Sequence, residues 1–290
     1  MPPLAPRHAH QVDTGDPTPL HETSPAPYLA SLATKRLHTA MKINGRTSWG
    51  SARNAVMLGA DPNTRLLGSD QKTALMYAIE ENHLDLARLL LQHGADPNAR
   101  DDQGRTALTS AAWTGYTDIG RRLLDHGADP NAADRWGWTP LMCAINTGRL
   151  AFAALLLENG VDPHARTREG RTALMALNPS MSSENLGDAL RLLIDRGDDP
   201  SAVDHAGHTL PQIFMEAAAM YPIGSSAARL RAAPVEILDA MLAHPARATA
   251  RQRLLDRLTP DQRTAWLPRS CAAAAGHRAA DRWPRQPHRP

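Results

Sequence analysis

The phrase "LLQHGADPNAR" fills residues 90–100. It returns as "LLDHGADPNAA" at 123–133, "LLENGVDPHAR" at 156–166 and "LIDRGDDPSAV" at 193–203, and a trimmed copy, "MLGADPN", stands at 57–63. Gly94, Gly127 and Gly160 are 33 residues apart. Upstream of each lies a triplet with the same period: Thr73-Ala-Leu, Thr106-Ala-Leu and Thr139-Pro-Leu. A further copy, Thr172-Ala-Leu, keeps the period, but its glycine, Gly197, comes four residues late. A fixed spacing in this range marks stacked repeats, in which each unit buries its apolar face against its neighbours.

One unit reads as follows. A short polar stretch with a fixed glycine comes first: "DDQGR" 101–105, "DRWGW" 134–138, "TREGR" 167–171 and "DHAGH" 204–208. Glycine there supplies the positive φ of a tight turn. The threonine that follows is a good helix N-cap, and Pro140 suits a first helical turn. A short helix with small residues on one side (Ala78, Ala111, Ala112, Ala144) leads to a break near Gly115 or Gly148. A second helix carries an apolar stripe at i, i+3, i+4 spacing, Leu86-Leu89-Leu90 in one unit and Phe152-Leu155-Leu156 in another. The repeated phrase ends this helix with a left-handed glycine and a proline that prevents continuation. Its Asp-Pro-Asn does not have the alternating oxygen ligands of a calcium loop, because Arg100 and Asp101 fall where a ligand and a glycine are required. The phrase is therefore turn chemistry, and no metal is expected.

A unit of β-turn, helix and helix, opened by Thr-[Ala/Pro]-Leu, resembles the ankyrin repeat. "GRTALTSAAWTGYTDIGRRLLDHGADPNA" at 104–132 and its counterparts carry the resemblance, which is strong across 68–203. It implies an all-α solenoid that binds other proteins. One departure stands out. The family's histidine after the Thr-Pro-Leu triplet is replaced by Met76, Thr109, Met142 and Met175, so the hydrogen bonds it would make between hairpins are expected to be missing.

The expected organisation starts with a Pro/His-rich N-terminus at 1–27 and a degenerate helical cap at 28–67, whose shortened repeat begins at Thr39-Ala40-Met41. Repeats follow at 68–100, 101–133, 134–166 and 167–203, the last with its four-residue insertion. A degenerate unit at 204–244 follows, with "PVEILDAMLAH" at 234–244 as second helix. A basic, partly helical tail at 245–290 ends the chain; Thr259, Pro260 and Gln262 form a capping box in it, and 267–283 faintly echoes a repeat.

Composition narrows the function. The net charge of +2 excludes a molecule that binds by global electrostatics, although the tail alone sums to +7 from 10 Arg and 3 Asp. Two cysteines, Cys143 and Cys271, exclude a disulfide framework. No apolar run approaches a bilayer span. Arginine outnumbers lysine 29 to 3, a bias that points to a GC-rich bacterial genome. No metal-protease, zinc, phosphate-loop or nucleophile-elbow motif occurs. The leucine stripes read as core, Cys143 as a packed thiol, and His93 and His126 as cations at helix C-termini. No catalytic residue, cofactor or metal is expected.

The remaining candidate is surface. Spacing turns Gln103, Arg105, Trp113, Arg135, Trp136, Trp138, Asn146, Arg168 and Arg171 outward, on the hairpin tips and the open side of the first helices. Tryptophan and arginine are enriched at binding hot spots. Trp138 could equally pack sideways onto the next hairpin. The expectation is a monomeric, cytoplasmic scaffold whose partner is another protein. Two alternatives stand beside it. One is a secreted bacterial effector that binds a eukaryotic host protein, with "PYLASLATKRLHTAM" as a helical docking element. The other is a basic tail that takes an anionic partner, nucleic acid or a membrane surface, although nucleic acid is not an expected partner of the chain as a whole.

Overall fold

The computed structural model describes residues 26–42, 48–66, 70–178, 181–219, 248–257 and 260. The repeat chemistry acts as its spacing predicts. Thr73, Thr106 and Thr139 cap α3 (Ala74–Glu80), α5 (Ala107–Thr114) and α7 (Pro140–Asn146), each hydroxyl accepting the amide three residues on at 3.3 Å. The breaks need positive φ, which Gly115 and Gly148 supply and which Asn82 adopts in the first unit. The second helices follow as α4 (Leu84–Gln92), α6 (Thr117–Asp125) and α8 (Leu150–Glu158). Each ends at a glycine of the repeated phrase in the left-handed conformation. His126 Nδ1 also donates to the Arg122 carbonyl, 2.8 Å away, in the last turn of α6.

These helices form two layers. The first helices run α3–α5–α7, and the second helices run α4–α6–α8 beside them. Apolar stripes meet between the layers, where Leu75, Leu108, Ile119, Leu123, Leu141 and Phe152 are fully buried. Close approach has a local cause in α6. A methyl group on Gly120 would overlap the Phe152 ring of α8, so the small residue makes room for the large one. Among the described residues no helix is long and apolar enough to cross a membrane.

Two sets of hydrogen bonds join successive units. At the hairpin tips, backbone amides reach the preceding hairpin: Asp102 to the Asp70 carbonyl, Arg135 to Gln103, Arg168 to Trp136 and His205 to Glu169, all at 2.8–2.9 Å. At the other end of each unit the phrase links to its next copy. Asn63 Oδ1 accepts the Asp96 amide (2.7 Å), Asn98 Oδ1 the Asp129 amide (2.7 Å) and Asn131 Oδ1 the Asp162 amide (2.9 Å). Arg100 adds a bridge, donating to the carbonyls of Gly104 and, one unit on, Ala133. At the positions of the missing histidine, Met76, Met142 and Met175 are buried. Thr109 instead completes a reciprocal capping box with Thr106.

Three places differ from the sequence expectation. The N-terminal unit does not open at Thr39. A 17-residue helix, α1 (Ala26–Lys42), already runs there, and the Thr39 hydroxyl donates to the Lys35 carbonyl inside it. α2 (Trp49–Met57) packs beside α1. The "PYLASLATKRLHTAM" stretch is thus largely scaffold, with Ala33, Leu37, Ala40 and Met41 in the core. In the fourth repeat, Thr172 opens only a 3-10 turn, Leu174–Ala176. Pro179, five residues beyond Leu174, has no amide to continue a helix, and Asp198 Oδ2 takes the Leu174 amide at 3.0 Å. The late glycine is also explained. α9 (Ser183–Asp195) starts eleven residues after its threonine, as the other second helices do, but has 13 residues instead of nine. Four residues are about one turn, so Leu186, Ala189, Leu190 and Leu193 stay on one buried face.

Beyond α9, Thr209 opens α10 (Leu210–Ala219), and its amide and hydroxyl both donate to Gln212 Oε1. α11 (Ala248–Arg257) lies in the tail, and its Leu255 packs against the core. The stretch 1–25, the second helix expected at 234–244, the capping-box residues Thr259 and Gln262 and the echo at 267–283 lie outside the described residues.

Two outcomes follow from this packing. Gly120→Ala should gain helix propensity worth about 1 kcal/mol but lose about 1–3 kcal/mol to overpacking, a net destabilisation. Adding Phe152→Leu should restore part of the loss in urea unfolding, and equal stability of Gly120→Ala and the parent protein would refute the close approach. The second concerns Asp198, whose carboxyl burial pushes up to about 6. The folded chain then holds a proton between pH 4 and 6 that the unfolded chain has released. Stability should fall as pH rises through that window, by on the order of 2–3 kcal/mol. Asp198→Asn should flatten the pH profile of the melting temperature there, and an unchanged profile would remove Asp198 from the account.

Candidate functional site

The sequence "DRWGW" builds the site from one carboxylate. Asp134 Oδ1 accepts the amides of Trp136 (2.9 Å) and Trp138 (2.8 Å), and the Asp134 amide donates to the Trp138 carbonyl (2.9 Å). This closes a tight turn at Gly137, whose φ is 82°. A side chain at 137 would meet the backbone of Thr167 and Arg168 on the next hairpin, so glycine is required both for the turn and for the contact. The alternation then sends the two indoles different ways. Trp138 is half-buried against the core. Trp136 stays 53% exposed, and Trp113, in the last turn of α5, is 45% exposed.

The three rings surround one cleft of about 350 Å³, lined also by Arg105, Asp134, Cys143 and Asn146. Five of the sequence-predicted residues therefore meet: Arg105, Trp113, Trp136, Trp138 and Asn146. Gln103, Arg135, Arg168 and Arg171 do not line the cleft; Gln103 and Arg135 share their hairpins with Arg105 and Trp136, and Arg168 and Arg171 stand on the next hairpin. Their engagements differ. Arg105 is held by Asp101, with Nε and Nη2 at 2.9 and 2.8 Å from Oδ2. Arg171 lies 3.2 Å from Glu169 and 3.7 Å from Asp204. Asn146 Nδ2 donates to the Ala176 carbonyl (2.9 Å). Gln103 contributes the carbonyl that receives the Arg135 amide. Arg135 and Arg168 are exposed, and among the described residues neither has a carboxylate partner.

Two lining residues escaped the sequence reading. Asp134 orders both tryptophans, and the signal was present: Asp101 and Asp204 open the matching hairpins and take the amides two and four residues on in the same way. Cys143 forms part of the floor, on the first turn of α7. Burial drives its thiol up to about 12, the Asp134 charge adds to this, and Arg105 and the Trp113 indole N–H oppose it. A thiol so held is protonated throughout the neutral range and is a packing group.

Residues 37–134 match the family model described as ankyrin repeats (3 copies), and residues 123–175 match the one described as ankyrin repeats (many copies). No curated protein matches the chain.

The state of Cys143 can be checked by alkylation. In a Cys271→Ser background, the folded protein should resist iodoacetamide at pH 8 and become labelled only in urea. Rapid labelling of the folded protein would show an accessible thiolate and reopen a chemical role for the cleft floor.

Proposed function

We propose that this chain, which belongs to the ankyrin-repeat family over residues 37–175, is a non-catalytic scaffold that binds another protein through the hairpin tips and first helices around the Trp113–Trp136–Trp138 cleft. Ankyrin repeats generally mediate protein–protein interactions, which supports the class of partner. The observation that carries the site is the pair of exposed indoles, Trp113 and Trp136, standing over one cleft. Large rings left half in water gain by burial in a partner, at roughly 25 cal/mol per Å² of apolar surface. The tip that presents Trp136 is already ordered by Asp134, so little conformational freedom is left to lose on association.

The cleft residues suit recognition better than turnover. Asp134 is occupied by two amides, Arg105 by Asp101, and Cys143 is held as a neutral thiol. Within the proposed surface, Trp113 and Trp136 are the apolar anchors and Trp138 is their backing. Arg135 and Arg168 are free to pair with acidic groups of the partner. Gln103, Arg105, Asn146 and Arg171 set the shape, each already tied to its own or a neighbouring unit.

Trp136→Ala should leave the melting temperature near that of the parent protein. It should weaken binding of the partner recovered by affinity purification by about 2 kcal/mol or more, measured by calorimetry. Full affinity would show that the ring is not an anchor. A collapsed melt would show that it packs between hairpins, and the contact face would then lie elsewhere.

A further inference from the structure

The N-terminal end of the stack has a surface that an end unit should not have. α2 turns Trp49 towards the next unit, where it stacks on His83 (ring centroids 3.6 Å apart) and Tyr77 (5.8 Å). Ala52 and Val56 are buried on the same side. Ser51 and Leu58 project from the opposite side of α2, and with α1 they border a groove of about 610 Å³. α1 supplies the other wall through Leu32, Lys35, Arg36 and Thr39, an i, i+3, i+4, i+7 stripe. Tyr28 and Leu29 extend that stripe by one turn towards the helix N-terminus, at 76% and 53% exposure. In the internal units each second helix has a neighbour on both sides, α4 between α2 and α6 and α6 between α4 and α8. The groove is therefore the face on which a further helical unit would stack. Terminal units of such arrays need a polar outer face to remain soluble. This one exposes Leu29, Leu32, Met57 and Leu58 instead.

Charge selects the occupant. Residues 26–58 contain Lys35, Arg36, Lys42, Arg46 and Arg53 and no Asp or Glu. Lys35 and Arg36 stand in the groove, and among the described residues neither pairs with a carboxylate. A second copy of the same face would bring like charges together, and so would the tail, which sums to +7. A bilayer surface cannot fill a concave slot between two helices. We propose that this groove is a second docking site and that its occupant is an acidic amphipathic helix of a partner protein, its apolar side laid between Leu32 and Leu58 and its carboxylates over Lys35 and Arg36. The mode is that of a helix in a groove, extending the stack by one layer.

The test uses the full chain and two synthetic helical peptides of about five turns. They share one leucine face and carry either Glu or Lys on the other. Fluorescence anisotropy should show the Glu peptide binding, more weakly at high salt, and the Lys peptide not binding. Leu32→Ser with Leu58→Ser should weaken the Glu peptide about tenfold or more, as should Lys35→Glu with Arg36→Glu. All four side chains are at least partly exposed, so the melts of these variants should stay close to the parent's. Trp136→Ala should leave this binding unchanged, which separates the groove from the tryptophan cleft. The proposal is overturned by equal binding of the two peptides, by binding of neither, or by indifference to the charge reversal. It is also overturned if the same variants abolish self-association of the chain, or its sedimentation with phosphatidylserine vesicles, because the groove would then serve a copy or a membrane.

Discussion

The bond from the Asp129 amide to Asn98 Oδ1 is the joint on which the architecture rests. A helix hairpin of this size cannot bury its own apolar stripes, so it needs a neighbour at a fixed distance and rotation. The asparagine provides that registration from inside the turns that end α2, α4 and α6, at Asn63, Asn98 and Asn131. Its amide group works both ways: Oδ1 accepts from the next turn, and in Asn98 Nδ2 donates to the Gly127 carbonyl (2.8 Å). Asp96 Oδ1 meanwhile holds the Asn98 amide (2.9 Å), so the side chain that fixes the local turn also presents the one that fixes the neighbour. This is the physical reason one phrase recurs. Two of the oxygens that suggest a cation, Asp96 Oδ1 and Asn98 Oδ1, each accept a backbone amide.

Registration at the turns leaves the opposite edge free for display. The "DRWGW" hairpin is joined to its neighbours through backbone hydrogen bonds, Arg135 to Gln103 and Arg168 to Trp136. Their side chains can therefore vary without disturbing the stack. "DRWGW" uses that freedom to place two tryptophans where the equivalent hairpins carry Gln103 and Arg105, Glu169 and Arg171, or Ala206 and His208. The joint between units and the displayed surface are thus carried by different atoms of the same residues.

The period, the caps and the left-handed stops were legible because each depends on a few residues close in sequence. Thr73, Thr106 and Thr139 cap as their positions predict, and Gly94, Gly127 and Gly160 take positive φ. The candidate face was legible in part. The outward positions of Trp113 and Trp136 followed from the repeat register, whereas the half-burial of Trp138 comes from its packing against the core. What could not be read rests on tertiary partners. α1 begins at Ala26 because its Ala33, Leu37, Ala40 and Met41 find a core, and the degenerate Thr39 triplet gave no sign of that. The 3-10 turn at Leu174 depends on a carboxylate 24 residues away. Asp198 takes the place that Ala95, Ala128 and Val161 hold in the other phrases, a substitution that looks like drift until its partner is seen.

That substitution bears on the tryptophan cleft, because the cleft leans on the irregular unit. Asn146, one of its walls, donates to the Ala176 carbonyl in the 3-10 turn. Gly137 presses on Thr167 and Arg168, and the Trp136 carbonyl receives the Arg168 amide. The supporting hairpin is itself the most loosely closed. Thr167 Oγ1 replaces the usual aspartate and takes its two amides at 3.3 and 3.2 Å, against 2.9 and 2.8 Å for Asp134. In a stack where stability is shared between neighbours, a weaker fourth unit lowers the energy needed to loosen the third. Asp198 sits at the centre of that fourth unit, buried and with a raised pKa, facing His164 of the preceding phrase and holding the Leu174 amide. The carboxylate that holds the Leu174 amide thus belongs to the unit whose 3-10 turn supports Asn146 at the cleft wall.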